Sequence, residues 1–408
     1  MRLLILTQYF PPEIGAPQNR LFELGIRLMK AGVEVTVLTA MPNYPEMVIK
    51  QNYKGKFYFF EKIQGMAVHR AAIFATTDRS IFKRLLNYFS FVLSSFLVGV
   101  SKLGNFDYIF CESPPLFLGI TGYLLARAKG ARLIFNVSDL WPESADKLGL
   151  VTNKMLLKAA TWLEEALYRK AYLITGQTKG IVSNIKERFP SKRVYWLPNG
   201  VDLAYYDPTL YTTDWRRKLG FVSEDIVLLY AGIIGYAQGL DVILRAAEML
   251  RSKSGVKFIL LGDGPEKERL QKLASDLKLG NVIFLDPVTK AEMPHALAAS
   301  TATIIPLKRL ELFKGAIPSK IFESLAMEKP ILLGVEGEAK DLFVEEGKCG
   351  LFFTPESAEE LVRSIEYLAS NSGAFLQLGK NARKYVDAKF NRNQIADDFY
   401  RVLEKRVA

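Results

Sequence analysis

The fold is decided by one stretch, Ile226-Val-Leu-Leu-Tyr-Ala-Gly-Ile-Ile-Gly-Tyr-Ala-Gln-Gly239, which runs on into Leu240-Asp-Val-Ile-Leu-Arg-Ala-Ala-Glu-Met249. Ile226–Tyr230 is short, uncharged and aliphatic, the pattern of a strand buried on both faces. Three glycines follow (Gly232, Gly235 and Gly239), and then an amphipathic helical pattern over Gly239–Arg251. A strand that passes through glycines directly into a helix leaves several N–H groups unpaired and aimed at one point. That is a cradle for phosphate, and a plain turn does not need three glycines to make it.

The same alternation extends in both directions. Downstream it predicts strands at Val256–Leu261, Val282–Leu285, Thr303–Pro306 and Ile331–Gly334, with helices at Lys267–Leu277, Met293–Ala299 and Ser319–Ala326. Upstream it predicts strands at Arg2–Thr7, Val33–Thr39, Tyr108–Cys111, Arg132–Val137, Tyr172–Thr175 and Arg193–Trp196, with helices at Asn19–Lys30, Leu116–Lys129 and Asn153–Lys170. With 408 residues the chain is too long for one core. The expected fold class is α/β, as two Rossmann-like doubly wound parallel-sheet domains facing a cleft. The turn-rich segment Pro198–Asp207 suits a hinge, placing the domains at 1–203 and 204–388. Helical patterns at 358–370, 375–388 and near 394–407 close the chain, and 389–408 is expected to pack back on the first domain.

Composition narrows the class. Hydrophobic residues make up 49% and charged ones 24%, which excludes a disordered chain. Two cysteines, Cys111 and Cys349, point to a reducing, cytoplasmic compartment, and two histidines, His69 and His295, exclude a multi-histidine metal centre. Residues 1–200 carry 26 Lys and Arg against 14 Asp and Glu, whereas 201–408 carry 28 against 29. The positive excess of the whole chain, +11, therefore sits in the first half and predicts an anionic partner there. No aromatic nucleic-acid signature accompanies it, which favours an anionic membrane surface over nucleic acid. Leu85–Ser101 is free of charge and flanked by Lys83-Arg84 and Lys102. It reads as a helix buried in the fold, as a surface helix that dips into a bilayer, or, at the lower limit of length, as a span.

Four loops are placed to bind a ligand beyond the carboxyl ends of strands. Pro11–Arg20 follows the first strand, with Gly15 for close approach and Asn19 as a helix cap, but it is not the G-x-G-x-x-G of dinucleotide enzymes. Gly232–Gly239 is the phosphate cradle. Gly262-Asp-Gly264-Pro265 follows another strand and is a weaker signal. Gly315-Ala-Ile-Pro318-Ser319-Lys320-Ile-Phe-Glu323 opens a helix with a cation and an anion one turn apart. Such a pair suits a phosphate and two ribose hydroxyls, and it equally suits a solvated ion pair.

Taken in order, Tyr9-Phe-Pro-Pro, Pro198-Asn-Gly-Val-Asp202, Tyr230-Ala-Gly, Gly262-Asp-Gly-Pro265 and Pro318-Ser-Lys-Ile-Phe-Glu-Ser-Leu-Ala-Met-Glu-Lys-Pro330 resemble the retaining family 4 glycosyltransferases of the GT-B fold. Asp139-Leu-Trp-Pro-Glu-Ser-Ala145, together with Pro318–Glu323, is similar to a bacterial subgroup that includes L-fucosamine transferases of O-antigen and capsule assembly. The resemblance implies a UDP-linked sugar donor as co-substrate, with no cofactor and no metal, and a lipid-diphosphate-linked saccharide acceptor at the inner face of the plasma membrane. It implies donor contacts from Gly15, Gly232, Gly235, Gln238, Gly262, Gly264, Pro318, Ser319, Lys320 and Glu323, the last holding the ribose. It assigns catalytic roles to Asp139 and Lys320, and acceptor or closure roles to Asn19, Arg20 and Trp141.

The chain departs from the family pattern at three points. The first glutamate of the E-x7-E motif is replaced by Gly315. The arginine and lysine of the glycine loop are replaced by Ile233 or Ile234 and by Gln238, leaving Lys320 as the diphosphate cation. The histidine that many members carry is replaced by Val137-Ser138-Asp139, where Asp139 can equally be a helix cap. Two alternatives stay open: a nucleotide-sugar 2-epimerase of the same fold, and a non-catalytic subunit that binds nucleotide sugar.

Overall fold

The computed structural model describes residues 1–405 apart from Ile14, Arg79, 148–150, Thr152 and Thr213. The chain forms two compact units, one of residues 1–199 with 392–408 and one of 200–391.

In the first unit the elements run β1 Arg2–Leu6, α1 Ala16–Lys30, β2 Glu34–Ala40, β3 Tyr58–Ile63, β4 Met66–Ala71, α2 Ile81–Lys102, β5 Tyr108–Ser113 and α3 Leu118–Lys129. They continue with β6 Arg132–Val137, α4 Glu143–Lys147, α5 Lys154–Lys170, β7 Leu173–Gly176, α6 Lys179–Arg188 and β8 Val194–Trp196. The sheet order is β3-β4-β2-β1-β5-β6-β7-β8, and every neighbouring pair is parallel except β3–β4. The central strands are continuous apolar runs because helices cover both faces. The sequence pattern passed over the β3–β4 hairpin, whose strands alternate weakly. Its signal is the two-residue turn Gln64-Gly65, both at positive φ, which matches the twist of a hairpin.

The second unit runs α7 Asp214–Lys218, β9 Ile226–Ala231, α8 Asp241–Met249, β10 Val256–Leu261, α9 Lys267–Asp276, β11 Val282–Leu285, α10 Met293–Ala299 and β12 Ala302–Pro306. Then come α11 Lys320–Ala326, β13 Ile331–Gly334, α12 Glu338–Lys340, β14 Gly350–Phe352, α13 Ala358–Ser370 and α14 Ser372–Phe390. Its sheet is β11-β10-β9-β12-β13-β14, parallel throughout. The last helix, α15 Arg392–Glu404, belongs to the first unit. There Phe399 meets Phe110 edge-on at 5.9 Å and the Tyr108 hydroxyl donates to the Leu403 carbonyl at 3.0 Å. The expected end of that helix at 407 lies outside the described residues.

Helix α2 is neither a fully buried helix nor a free one. Asn87, Phe91, Ser94, Ser95 and Val98 are buried, while Phe82, Leu86, Phe89, Leu93, Leu97 and Val100 face solvent.

Candidate functional site

In the second sheet β9 lies between β10 and β12, so the chain order reverses between β9 and β12. Loops leaving a parallel sheet on either side of such a reversal diverge and leave a crevice for a ligand. The loop after β9 carries Gly232–Gly239, and the loop after β12 carries Leu307-Lys308 and leads on to α11.

Two backbone segments are zipped together there. The Gly232 N–H donates to the Leu261 carbonyl at 2.9 Å, Ile234 N–H to the Asp263 carbonyl at 2.8 Å, and Glu266 N–H to the Ile234 carbonyl at 3.0 Å. Gly262 and Gly264, at φ 149° and 154°, are glycines because a Cβ would lie 1.9 Å from the Gly232 oxygen and 2.4 Å from the Ile234 oxygen. Their role on this geometry is to let the two loops touch.

Lys320, the first residue of α11, reaches under the glycine loop. Its Nζ is 3.8 Å from the Tyr230 ring centroid, and a Cβ on Gly232 would come within 2.8 Å of it. Gly232 thus makes room for the ammonium, and the Tyr230 hydroxyl supports the loop by donating to the Ile233 carbonyl. The residue as a whole is half-buried, with its ammonium packed on the Tyr230 ring. Burial lowers its pKa from 10.5 to about 7, against the opposing pull of Glu323. Among the described residues no carboxylate forms a close ion pair with it. The loop above this desolvated lysine spends the N–H groups of Gly232 and Ile234 on the neighbouring loop, and those of Gln238 and Gly239 on the Gly235 and Tyr236 carbonyls, so these four amides are not part of the expected cradle.

Glu323 lies half-buried in the first turn of α11, and its charge is felt by Tyr205. The Tyr205 hydroxyl donates to the Lys290 carbonyl at 2.8 Å. Its pKa is raised by burial first, then by Tyr211 and Glu323. Gln238 is half-buried beside Gly235, whose Cβ, if present, would lie 2.9 Å from the Gln238 Oε1. Pro318 and Ser319 precede α11, and the Ser319 hydroxyl makes no capping bond. Gly315 is exposed, with open space where a side chain would stand, so nothing packs into the place of the missing glutamate.

One residue of this site escaped the sequence pattern. Lys308 Nζ sits 3.0 Å above the Tyr236 ring centroid, and its N–H donates to the Ala237 carbonyl at 2.9 Å. Its stem packs against Gly239, within 3.2 Å of where a Cβ would be. The glycine loop is therefore flanked by two ammonium groups, Lys320 near Gly232 and Lys308 near Gly239. Lys308 belongs to no motif; its only signal is its place just beyond the end of the strand at the chain reversal.

In the first unit, α1 begins at Ala16, with Gly15 at its cap position and Pro17 in its first turn. Asn19 therefore lies inside the helix and is not its cap, because Pro17 supplies the first-turn geometry one position earlier than the apolar periodicity starts. Gln18 folds back over Gly15, within 2.4 Å of where a Cβ would be. Arg20 is committed to a buried network: Nη1 donates to Gln177 Oε1 at 2.5 Å, and Nη2 to Glu112 Oε1 at 2.5 Å and to Ser138 Oγ at 2.7 Å. Asn136 Nδ2 donates to the other oxygen of Glu112 at 2.6 Å. Glu112, Asn136 and Gln177 stand at the carboxyl ends of β5, β6 and β7, and no sequence motif marked them. Asp139 is exposed next to Ser138, with Oδ1 accepting from Ser144 Oγ at 2.5 Å. It braces the start of α4 through a hydroxyl and not through a backbone N–H. Trp141 packs edge-on against Phe117 at 5.7 Å.

The structure thus gathers Gly232, Gly235, Gln238, Lys320 and Glu323 in the second unit, with Gly262 and Gly264 supporting them. Gly15, Asn19, Arg20, Asp139 and Trp141 belong to the first.

Comparison with known proteins points the same way for both units. Residues 212–385 match the family described as glycosyl transferases group 1, and residues 15–200 match the glycosyl transferase 4-like domain. Over 98% of both chains the protein is 26% identical to WcaI of Escherichia coli (strain K12), which is named as a colanic acid biosynthesis glycosyl transferase. In fold it is similar to a sucrose-phosphate synthase from Thermosynechococcus elongatus, at TM-score 0.78 and 18% identity over 99% of this chain and 98% of that one. It is also similar to HepE from Anabaena, solved in complex with UDP and glucose, at TM-score 0.71 and 18% identity over 98% and 99%.

Proposed function

The chain belongs to the group 1 glycosyl transferases, built on the GT-B plan of two Rossmann-like domains, and from that premise we propose that it moves a sugar from a UDP-linked donor, with retention of configuration, to a saccharide carried on a membrane lipid diphosphate. The observation that carries the donor half is the Lys320 ammonium, packed beneath the glycine loop without a close carboxylate. A diphosphate supplies the missing charge, and the loop N–H groups not bonded within the fold supply hydrogen bonds to its oxygens. The UDP complex of the HepE relative supports uridine as the base. The likeness to WcaI supports a cell-surface polysaccharide as the product, and the motif resemblance to L-fucosamine transferases supports an N-acetylated amino sugar such as N-acetylfucosamine as the donor sugar.

In this reaction the bond between the sugar C1 and the β-phosphate oxygen breaks, and a bond from C1 to the acceptor oxygen forms on the same face. The acceptor proton passes to the departing phosphate oxygen. Negative charge grows on the nucleoside diphosphate as the bond breaks, and Lys320, Lys308 and the loop amides stand where that charge appears. Glu323 holds the ribose hydroxyls. No metal and no cofactor are needed for this distribution of charge, because two ammonium groups and the amides provide the counter-charge. Asp139 orients the acceptor hydroxyl or the donor sugar.

Release of UDP from a panel of UDP-sugars tests the proposal, with and without a lipid-diphosphate saccharide. Acceptor-dependent release is the expected result. Interconversion of UDP-sugars without release makes the protein an epimerase instead. Tight binding without turnover makes it a regulatory subunit, the outcome that the vacant position at Gly315 favours.

A further inference from the structure

Helix α2 is amphipathic in the wrong sense for a water-soluble surface helix. Its inward face holds the polar groups, and its outward face is hydrocarbon. Asn87 Nδ2 donates to the Phe74 carbonyl at 2.7 Å and Asn87 Oδ1 accepts from Gln8 Nε2 at 3.1 Å. Ser94 Oγ donates to the Ala72 carbonyl, and Thr121 Oγ1 donates to the Val92 carbonyl at 2.7 Å. These bonds tie the helix to its neighbours and prevent it from rolling over.

Outward stand Phe82, Leu86, Phe89, Leu93, Leu97 and Val100, one continuous stripe along the helix, with Phe82 76% and Leu93 62% exposed. Phe74, joined to α2 through Asn87 and Ser90, and Leu124 of the adjoining α3 are exposed as well. A run of large apolar side chains on this scale marks a surface that is covered in use.

The charges around it identify the cover. From residue 79 to residue 106 there is no carboxylate, whereas Lys83 and Arg84 lie at one end of the stripe and Lys102 at the other. Asp78, just before the helix, is already paired with Lys83 at 2.7 Å. A second copy laid along the stripe, in either direction, sets cation against cation. An anionic lipid surface satisfies the cations and takes up the apolar stripe. The helix is long and apolar enough to cross a bilayer, with a mean hydropathy of 1.3 over an 18-residue window within Phe82–Lys102. A crossing would carry Asn87, Ser94 and Ser95 away from their partners into hydrocarbon, so the helix lies along the surface.

We propose that the outer face of α2 is a docking surface for an anionic lipid bilayer, in which the helix lies parallel to the surface with Arg84 and Lys102 at the headgroups. The proposal rests on the first unit alone and holds whatever the second unit transfers.

The full chain is mixed with vesicles of phosphatidylcholine, with and without phosphatidylglycerol, and sedimented. Expected is binding that needs phosphatidylglycerol, falls at least fivefold in high salt, and is lost at least tenfold in Leu86→Ser/Leu93→Ser/Leu97→Ser. That variant changes only exposed positions, so its thermal unfolding and its UDP binding should match those of the parent. No binding to either vesicle overturns the proposal. So does a dimer in light scattering that the triple variant converts to monomer, which would make a second copy the partner. Binding that resists alkaline carbonate extraction also overturns it, in favour of a spanning helix. Failure of UDP binding in the parent, with vesicle binding intact, would refute the donor assignment and leave this surface standing.

Discussion

If Lys320 is the cation under the diphosphate, donor binding must carry a proton with it. The free protein holds this lysine at a pKa of about 7, against 10.5 for an exposed lysine. That difference corresponds to roughly 5 kcal/mol of interaction that favours the neutral amine in the folded, ligand-free state. A bound diphosphate returns the charge preference and restores an ordinary, high pKa. Above about pH 7, binding therefore takes up close to one proton, and affinity weakens by up to a factor of ten per pH unit. Between about pH 7 and pH 9 the fall should reach roughly fiftyfold. UDP-N-acetylglucosamine is a suitable probe, because its diphosphate diester stays fully ionised over that range and its phosphates contribute no titration. Calorimetry in two buffers of different ionisation enthalpy measures the proton directly. The ligand-free protein should show the complementary trend. Unfolded, the lysine keeps its proton to about 10.5, so stability is lowest below about pH 7 and rises between about 7 and 10.5. Lys320→Met should raise the unfolding temperature at neutral pH while weakening binding and removing its pH dependence. An affinity that is flat from about pH 6 to pH 9, with no proton uptake, would refute the assignment.

Three further outcomes are expected. Glu323→Ala should weaken UDP binding at least tenfold and abolish any preference for UDP over 2′-deoxy-UDP, as read by thermal shift or calorimetry; an intact preference would remove Glu323 from the ribose. Lys308→Met should weaken UDP binding roughly tenfold, within the range for one charge-assisted hydrogen bond, while Lys308→Arg retains most of it and uridine binding is unchanged. Gly262→Ala places a methyl group against the Gly232 carbonyl at positive φ. The strain and overpacking together should cost about 3–5 kcal/mol, seen as a melting point lower by about 10 °C.

The periodic parts of this protein were legible before any coordinates. The strands at Ile226, Val256, Thr303 and Ile331 are continuous apolar runs because both faces of their sheet are covered, and that cause acts residue by residue. The glycine loop and the start of α11 were legible too, since each joins a strand to a helix with residues that such a junction demands. The β3–β4 hairpin was not, because an edge pair gains its order from a neighbouring strand and not from its own pattern. Asn19 was misplaced as a cap because the helix begins where Pro17 allows it, ahead of the apolar repeat.

Composition and order alone were enough to establish two doubly wound sheets, a basic first half and a glycine-rich strand-to-helix loop in the second. Local chemistry dictates all three. What only folding decided is which side chains meet. Lys308 comes to the loop through the pairing of β12 with β9, and Arg20 meets Glu112 across 92 residues. The outward aim of the α2 stripe depends on which face found hydrogen-bond partners in the loops after β1 and β4 and in α3. A sequence records the distance between residues along the chain, and these contacts were set by strand order, which no single segment contains.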